Sequence, residues 1–166
     1  MIKPALLMFL VAGLALGCSQ APAGQTLQPG QTLQPGQTLA PGTQGAPTTS
    51  ACNLVTPAEM NSIWGAQMNA VPGANNECTW TAISGLPSVT IRFEPTDLAT
   101  AKAILGNDAD VTVAGRPGVI GTLFGVLLYV QIGTVDMVVQ TVLLEDTPDN
   151  RNKVLATGEK ALSRLQ

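Results

Sequence analysis

The sequence contains no histidine. A serine hydrolase triad, a Cys–His pair and a His-based zinc site therefore cannot be built from it. The glycines from Gly115 to Gly125 lack the Lys and Ser/Thr that a phosphate-binding loop requires, and no Gly-x-Ser-x-Gly stretch is present. These absences exclude most hydrolytic and redox chemistry. We expect no catalytic residue, no metal site and no cofactor.

Charge is also scarce, since only 11% of the residues are charged and the net charge is −3. No basic stripe is present, so nucleic acid is not an expected partner. The carboxylates at 108–110 and 145–149 lack the spacing of a calcium-binding loop, and we expect them in solvated turns and caps. Because a pair of catalytic carboxylates needs no sequence motif, an envelope hydrolase of that type stays open as an alternative.

The N-terminal residues 1–17 have the features of an export signal. Lys3 is their one charge, and the apolar stretch 6–14 is too short to span a bilayer. The following Leu-Ala-Leu-Gly-Cys ends at Cys18 and resembles a bacterial lipobox, although Ala15 stands where leucine is usual. The match predicts that Cys18 carries a diacylglyceryl anchor, which would hold the chain in the cell membrane with its domain on the extracytoplasmic side. The alternative is an ordinary secretory signal in which Cys18 is incidental.

Residues 18–50 carry no charge and include the repeat GQTLQPGQTLQPGQTLAPG over 24–42. Gln, Thr, Gly and Pro bury too little apolar surface to offset the entropy cost of ordering the chain, and the recurring prolines block helix and sheet. We therefore predict a disordered tether, with an r.m.s. reach of about 30 Å and a full extension of about 110 Å. A specific peptide-recognition role is the alternative.

The remaining residues, 51–166, have the apolar content of a single domain. Helix starts are predicted at Thr56-Pro57, after Thr96 and at Thr147-Pro148. The order of elements favours an α+β fold, in which a mostly antiparallel sheet is packed by about three helices. Gly158 lies on the inner stripe of the last helix, where it is expected to allow close approach to the sheet. Strands are predicted at 78–82, 89–93, 111–114, 119–123, 126–132 and 135–144.

The run from 117 to 135 contains no charged residue, which is long enough to raise the question of a membrane span. Glycines interrupt the run and β-branched residues are frequent in it, so a buried sheet with a hairpin at Gly133-Thr134 is the better interpretation. An exposed apolar binding face is the second interpretation, with Phe124 and Leu127 as the possible contact residues. A membrane helix is the third.

Two cysteines, Cys52 and Cys78, remain in this exported chain. An even pair in an oxidising compartment predicts a structural disulfide. A redox role is disfavoured because no Cys-x-x-Cys motif is present, and a nucleophilic role is disfavoured because the usual histidine base is missing.

The start of the domain is similar to a known group of proteins. The stretch CNLVTPAE from Cys52 to Glu59, followed by Gly65 and by Cys-Thr-Trp from Cys78 to Trp80, resembles the opening of the actinobacterial lipoproteins grouped as the DUF3558 family. In those proteins, a Cys-x-Leu-Leu-Thr-x-x-Glu helix start precedes a Cys-x-Trp strand, behind a lipobox and a low-complexity linker. The family has no established activity. The resemblance implies the fold, the disulfide and the location, and it assigns no catalytic residue.

Together these observations predict a lipid-anchored, non-catalytic binding module of the cell envelope. Its partner would be an envelope protein, a glycan or a lipid. The alternatives are the carboxylate hydrolase and a carrier of a small apolar or lipid ligand. The opposing interpretation of the apolar run is that all of it is core and that polar loops do the binding.

Overall fold

The computed structural model describes residues 47–165. The predicted signal peptide over 1–17, Cys18 and the predicted tether as far as residue 46 lie outside the described residues, and so does Gln166. Within the described part, the chain is an α+β domain with three α-helices and one seven-stranded sheet, as the sequence predicts.

The sheet is antiparallel throughout, with strand order β1-β2-β3-β7-β6-β5-β4. Along the chain the elements are a 3-10 helix Ala51–Asn53, α1 Pro57–Trp64, β1 Met68–Pro72, β2 Cys78–Ala82, β3 Ser88–Glu94, α2 Leu98–Ile104, β4 Gly106–Val113, β5 Arg116–Thr122, β6 Val126–Ile132, β7 Val135–Thr141 and α3 Pro148–Leu162.

Local side-chain chemistry sets the helix ends. The Thr56 hydroxyl accepts from the Glu59 backbone N–H at 3.3 Å, and the Glu59 carboxylate accepts from the Thr56 N–H at 2.9 Å, which completes the predicted capping box. Gly65 then ends α1 in the left-handed region at φ +65°. Thr147 caps α3 as predicted, whereas α2 is capped by Asp97, one residue after Thr96.

The main core lies between one face of the sheet and the helices α1 and α3. Trp80, Ile91 and Leu128 are buried there. A Cβ added at Gly158 would lie 2.7 Å from a Leu128 methyl, so the absence of a side chain at Gly158 lets α3 approach the sheet, as predicted.

A smaller core lies on the opposite face, where α2 covers β5, β6 and β7. Leu127 packs there with Val119, Tyr129 and Val138 beneath Ala101, and it is 1% exposed. The prediction that Leu127 belongs to an exposed contact face is therefore wrong. Leu127 sits within β6 with its side chain under α2, so it is not free to meet a partner while the domain is folded.

The uncharged run from 117 to 135 forms β5, β6 and the turn to β7, which confirms the prediction of a buried sheet with a hairpin at Gly133-Thr134. In residues 47–165, the structure contains no helix that is both long and apolar enough to cross a membrane.

Several strand limits differ from the prediction. The edge strand β1, in which Met68 alone is buried, was not predicted. The strand β4 begins at Gly106, earlier than predicted, because the first part of this edge strand is exposed and shows no alternation of buried residues. The strand β5 also begins earlier than predicted, at Arg116. The strand β7 ends earlier than predicted, at Thr141, since the next three residues leave the sheet.

The predicted disulfide between Cys52 and Cys78 is confirmed. It joins the 3-10 helix to the start of β2, where Cys78 and Trp80 are both buried on the main-core face. The Asn76 amide lies beside it and donates to the carbonyls of Pro47 and Thr49 at 3.0 and 2.9 Å. The chain therefore enters the domain at the end of the sheet where β1 turns into β2.

Candidate functional site

The exposed apolar side chains of the domain are concentrated at one end of the sheet. Seven of the eight large hydrophobic side chains that are exposed in residues 47–165 lie there, six on loops and Ile104 at the end of α2. We call this set the apolar end. Its members are Ile83, Leu86, Ile104, Leu123, Phe124, Val142 and Leu143.

Backbone hydrogen bonds join these loops into one continuous surface. The Leu143 N–H donates to the Phe124 carbonyl at 2.8 Å, which links the segment after β7 to the β5–β6 turn. On the other side, the Val142 N–H donates to the Ser88 carbonyl at 3.3 Å, beside the β2–β3 turn. Ile104 lies next to this surface because α2 ends just before Gly106, which pairs with Thr122 at the end of β5.

Phe124 and Leu143 are the most exposed large apolar residues, at 81% and 77%. Both have a left-handed backbone, with φ of +57° and +56°. This conformation costs a bulky L-residue roughly 1–2 kcal/mol, whereas asparagine or glycine adopts it readily. The sequence therefore places apolar side chains at two positions where both solubility and backbone energy favour other residues.

The geometry around Phe124 is fixed by close packing of the backbone. A Cβ added at Gly125 would lie 2.2 Å from the Thr141 carbonyl oxygen, so the two segments touch. The buried Thr141 hydroxyl accepts from the Val126 N–H at 2.8 Å and lies 3.0 Å from the Val126 carbonyl, to which it donates. The backbone of the β5–β6 turn, which carries Phe124 at the apolar end, is therefore held rigidly by hydrogen bonds and close packing.

The other end of the sheet, which we call the tether end, differs in charge. Its loops and strand ends carry Glu77, Arg92, Glu94, Asp97, Arg116 and Asp136. The turns of the apolar end, at 83–87, 123–125 and 142–144, contain no charged residue, although Glu145 and Asp146 follow directly and Asp146 is paired with Arg151. The one exposed large hydrophobic residue away from the apolar end is Val71, at 57%, which pairs with Thr79 near the tether end.

Asp136 has an unusual environment at the tether end. Asp136 is fully buried, and neither oxygen of its carboxylate has a hydrogen-bond partner among the described residues. Its register partners are Glu94 on β3 and Gln131 on β6. Burial raises the pKa of Asp136 to about 6, and the charges of Asp97 and Glu94 add to the rise.

A surface pocket of about 270 Å³ also lies at the tether end. It is lined by Ala74, Asn75, Glu77, Arg92, Phe93 and Glu94. The Glu94 carboxylate is paired with the Arg92 guanidinium, which also donates to Gln140. Asp136 does not line this pocket. In residues 47–165, no three Cys, Asp or Glu side chains are grouped so as to hold a metal ion.

The structure separates the residues that the sequence analysis had grouped. Phe124 is exposed on the apolar end, whereas Leu127 is core. Cys52 and Cys78 are joined at the tether end, and Cys18 lies outside the described residues. Leu86 and Leu143 are exposed as well, and the sequence pattern did not predict this. The sequence does contain a local signal for their exposure. Leu86 lies in a turn with Ser84, Gly85 and Pro87, and Leu143 lies just after the end of a strand.

Comparison of the chain with protein-family models, with curated proteins and with solved structures gives no match.

Proposed function

We propose that this protein is a lipid-anchored lipoprotein of the cell envelope and that its domain binds a partner through the apolar end without performing catalysis. The observation that carries the proposal is the concentration of exposed apolar residues at one end of the sheet, on three turns without a charged residue and at the end of α2. An apolar patch of this kind on a soluble domain is typical of a contact site.

The conformation of Phe124 and Leu143 supports a role in binding. Two left-handed positions occupied by exposed Phe and Leu lower stability and solubility at the same time. Such a cost is offset if the side chains are buried against a partner, because burying one of them contributes about 1.5–3 kcal/mol. Their rigid backbone also limits the entropy lost on binding.

The predicted tether fits this role. A flexible segment that ends near Pro47 would let the domain search a volume tens of ångströms across while it stays near the membrane. The tether then raises the effective concentration of the domain for any partner in that volume. The resemblance to the DUF3558 lipoproteins supports the same location, and we propose membership of that family on the motif from Cys52 to Trp80.

A carboxylate hydrolase remains the second candidate, and the pocket with Glu77 and Glu94 is the observation that favours it. A general acid in such an enzyme needs a raised pKa. Asp136 has this property, but it is fully buried and does not line the pocket. A carrier of a small apolar ligand is also less favoured, because this pocket is lined by charged and polar groups along with Phe93.

The anchoring part of the proposal is tested by Cys18→Ala in the full chain. Each acyl chain contributes about 0.8 kcal/mol per buried CH₂, so two or three chains hold the protein stably on a membrane. We expect the variant to leave the membrane fraction or to accumulate as an unprocessed precursor. Unchanged processing together with unchanged fractionation would contradict the anchor.

The binding part is tested by placing a photocrosslinking amino acid at position 124 or at position 71 of the full chain in intact cells. Both positions are exposed, so position 71 controls for random collisions. We expect a defined adduct, to protein, glycan or lipid, from position 124 and none from position 71. Equal yields from the two positions would show that the apolar end is not the contact site.

A further inference from the structure

We propose that the partner of the apolar end is the hydrocarbon region of a lipid bilayer, into which the loop tips insert. This inference rests on the proposed function, since it names the occupant of the same site. The chemistry of the exposed side chains favours this partner. The exposed side chains are aliphatic or phenyl groups on turns without a charged residue, so they offer no ionic group to a protein or glycan partner.

The backbone hydrogen bonds of the loops also suit a bilayer interior. A loop that enters hydrocarbon must satisfy its own polar groups, because no water is available there. The N–H groups of Ile83, Gly85, Leu123, Val142 and Leu143 all donate to backbone carbonyls, at 2.7–3.3 Å. Donors satisfied in this way cost little to move out of water.

Side-chain polar groups in the same turns follow the same rule. The Ser84 hydroxyl donates to the Leu86 carbonyl at 3.0 Å, and the Thr122 hydroxyl donates to the Gly106 carbonyl at 2.9 Å. Pro87 has no N–H to satisfy. The turns of the apolar end therefore present apolar groups outward and keep these polar groups bonded internally, which is the arrangement that a membrane-inserting tip requires.

The number of residues between Cys18 and the domain is compatible with this contact. The described chain begins at Pro47 at the tether end, while the strands that separate the two ends are up to about seven or eight residues long, roughly 25 Å. Twenty-nine residue steps separate Cys18 from Pro47, which corresponds to about 95 Å when fully extended. A chain anchored at Cys18 is thus long enough to run past the domain and let the apolar end face the same membrane.

The lack of charge on the turns of the apolar end also predicts which lipid headgroups favour insertion. The chain has a net charge of −3, none of the seven members of the apolar end is basic, and the nearby Arg151 is paired with Asp146. Insertion is therefore driven by apolar burial rather than by attraction to anionic headgroups. We expect binding to neutral phosphatidylcholine vesicles at least as strong as to vesicles containing phosphatidylglycerol, and little dependence on salt.

The experiment uses the full chain, lipidated or as Cys18→Ser, with phosphatidylcholine vesicles whose acyl chains carry bromine. Phe124→Trp reports the apolar end, and Val71→Trp, also at an exposed position, is the matched control. We expect the fluorescence of the Trp at position 124 to shift to the blue and to be quenched by the bromine. The Trp at position 71 should be unaffected, and the buried Trp64 and Trp80 provide the same background in both variants.

The double variant Phe124→Asn/Leu143→Asn should lower the vesicle partitioning of the Cys18→Ser chain by about tenfold or more, because burial of one such side chain shifts an equilibrium by that factor. Asparagine suits the left-handed backbone at both sites, so the variant should stay folded, which its circular dichroism will show. Equal quenching at 124 and 71, or partitioning unchanged in the double variant, overturns the inference.

Failure of the inference can be told apart from failure of the proposed function. Crosslinking of position 124 to an envelope protein, without quenching by bromine, overturns insertion and leaves the contact role of the apolar end intact. If Cys18 carries no lipid anchor, insertion can still be tested, because fluorescence quenching and vesicle partitioning are measured with the Cys18→Ser chain. No difference between positions 124 and 71 in either experiment overturns both.

Discussion

The two ends of the sheet are built from the same seven strands, yet their loops carry different chemistry. At the tether end, the chain enters, the disulfide closes a loop and the charges of Arg92 and Glu94 pair. At the apolar end, the turns are uncharged and their large side chains point into solvent. The chain entry and the disulfide thus lie at one end of the sheet and most of the exposed apolar side chains at the other, while the Asp146–Arg151 ion pair lies next to the apolar end. This distribution favours a contact role for the apolar end.

The largest effect on this contrast is expected from removing the disulfide. The bridge spans 26 residues of sequence, and closing a loop of that length stabilises the folded chain relative to the unfolded chain by about 3.5 kcal/mol in the chain-entropy model. The double variant Cys52→Ala/Cys78→Ala leaves no free thiol from the pair and should lower the free energy of unfolding by about that amount. Urea denaturation with and without reductant measures it. Reductant could lower the free energy of unfolding much more than the double substitution does. In that case the free thiols, rather than the loss of loop closure, would be the cause of the destabilisation.

The next effect is the pH dependence set by Asp136. Folding raises its pKa from 3.8 to about 6, so the folded chain holds this proton more tightly than the unfolded chain does. Stability from this group is therefore present in full below about pH 4 and is lost as the pH rises through about 6, by about 3 kcal/mol in total. Asp136→Asn should remove this part of the pH dependence and raise stability at pH 8 relative to pH 4.

Glu94→Gln is the matched control for that measurement. Burial is the first cause of the raised Asp136 pKa and the charge of Glu94 is a lesser one, so this variant should keep most of the dependence. Unfolding by urea at pH 4, 6 and 8 compares the three chains. If the free energy of unfolding of the wild-type chain does not fall between pH 4 and 6, Asp136 has a hydrogen-bond partner or a water molecule that relieves its burial.

The smallest effect on stability is expected at the apolar end, where its sign is informative. Phe124→Asn and Leu143→Asn place a residue that tolerates φ near +57° at each site, so the free energy of unfolding should stay unchanged or rise by up to about 1 kcal/mol. Val71→Asn, in the extended strand β1, should instead cost a few tenths of a kcal/mol, because asparagine is poor in strands. A loss of more than about 2 kcal/mol at 124 or 143 would show that these side chains hold the domain together.

The sequence predicts the elements whose signals are local. Capping residues mark the starts of α1 and α3, and the even pair of cysteines predicts the bridge, because each of these features depends on residues that can be read directly. Edge strands are harder to predict from the sequence. Most of β1 and the first half of β4 face solvent, so neither shows the alternation that identifies a half-buried strand.

The apolar end could not be predicted as a unit. Its residues come from three loops and the end of α2, between Ile83 and Leu143, and they meet because β7 pairs with both β3 and β6 and because β4 pairs with β5. Phe124 and Leu127 differ for a related reason. They are close in sequence, but Phe124 occupies a turn while Leu127 lies beneath α2, and the sequence does not say which strands that helix covers.

The central claim is that the apolar end is covered in the cell while the tether end is not. Hydroxyl-radical footprinting of the full chain, in intact cells and after purification in a monomeric soluble form with Cys18→Ser, measures this directly. The account predicts that Phe124 and Leu143 are oxidised several-fold less in cells than in the purified protein, while oxidation of Val71 is the same in both. Equal oxidation of Phe124 in the two settings, or equal protection of Phe124 and Val71, would contradict the account.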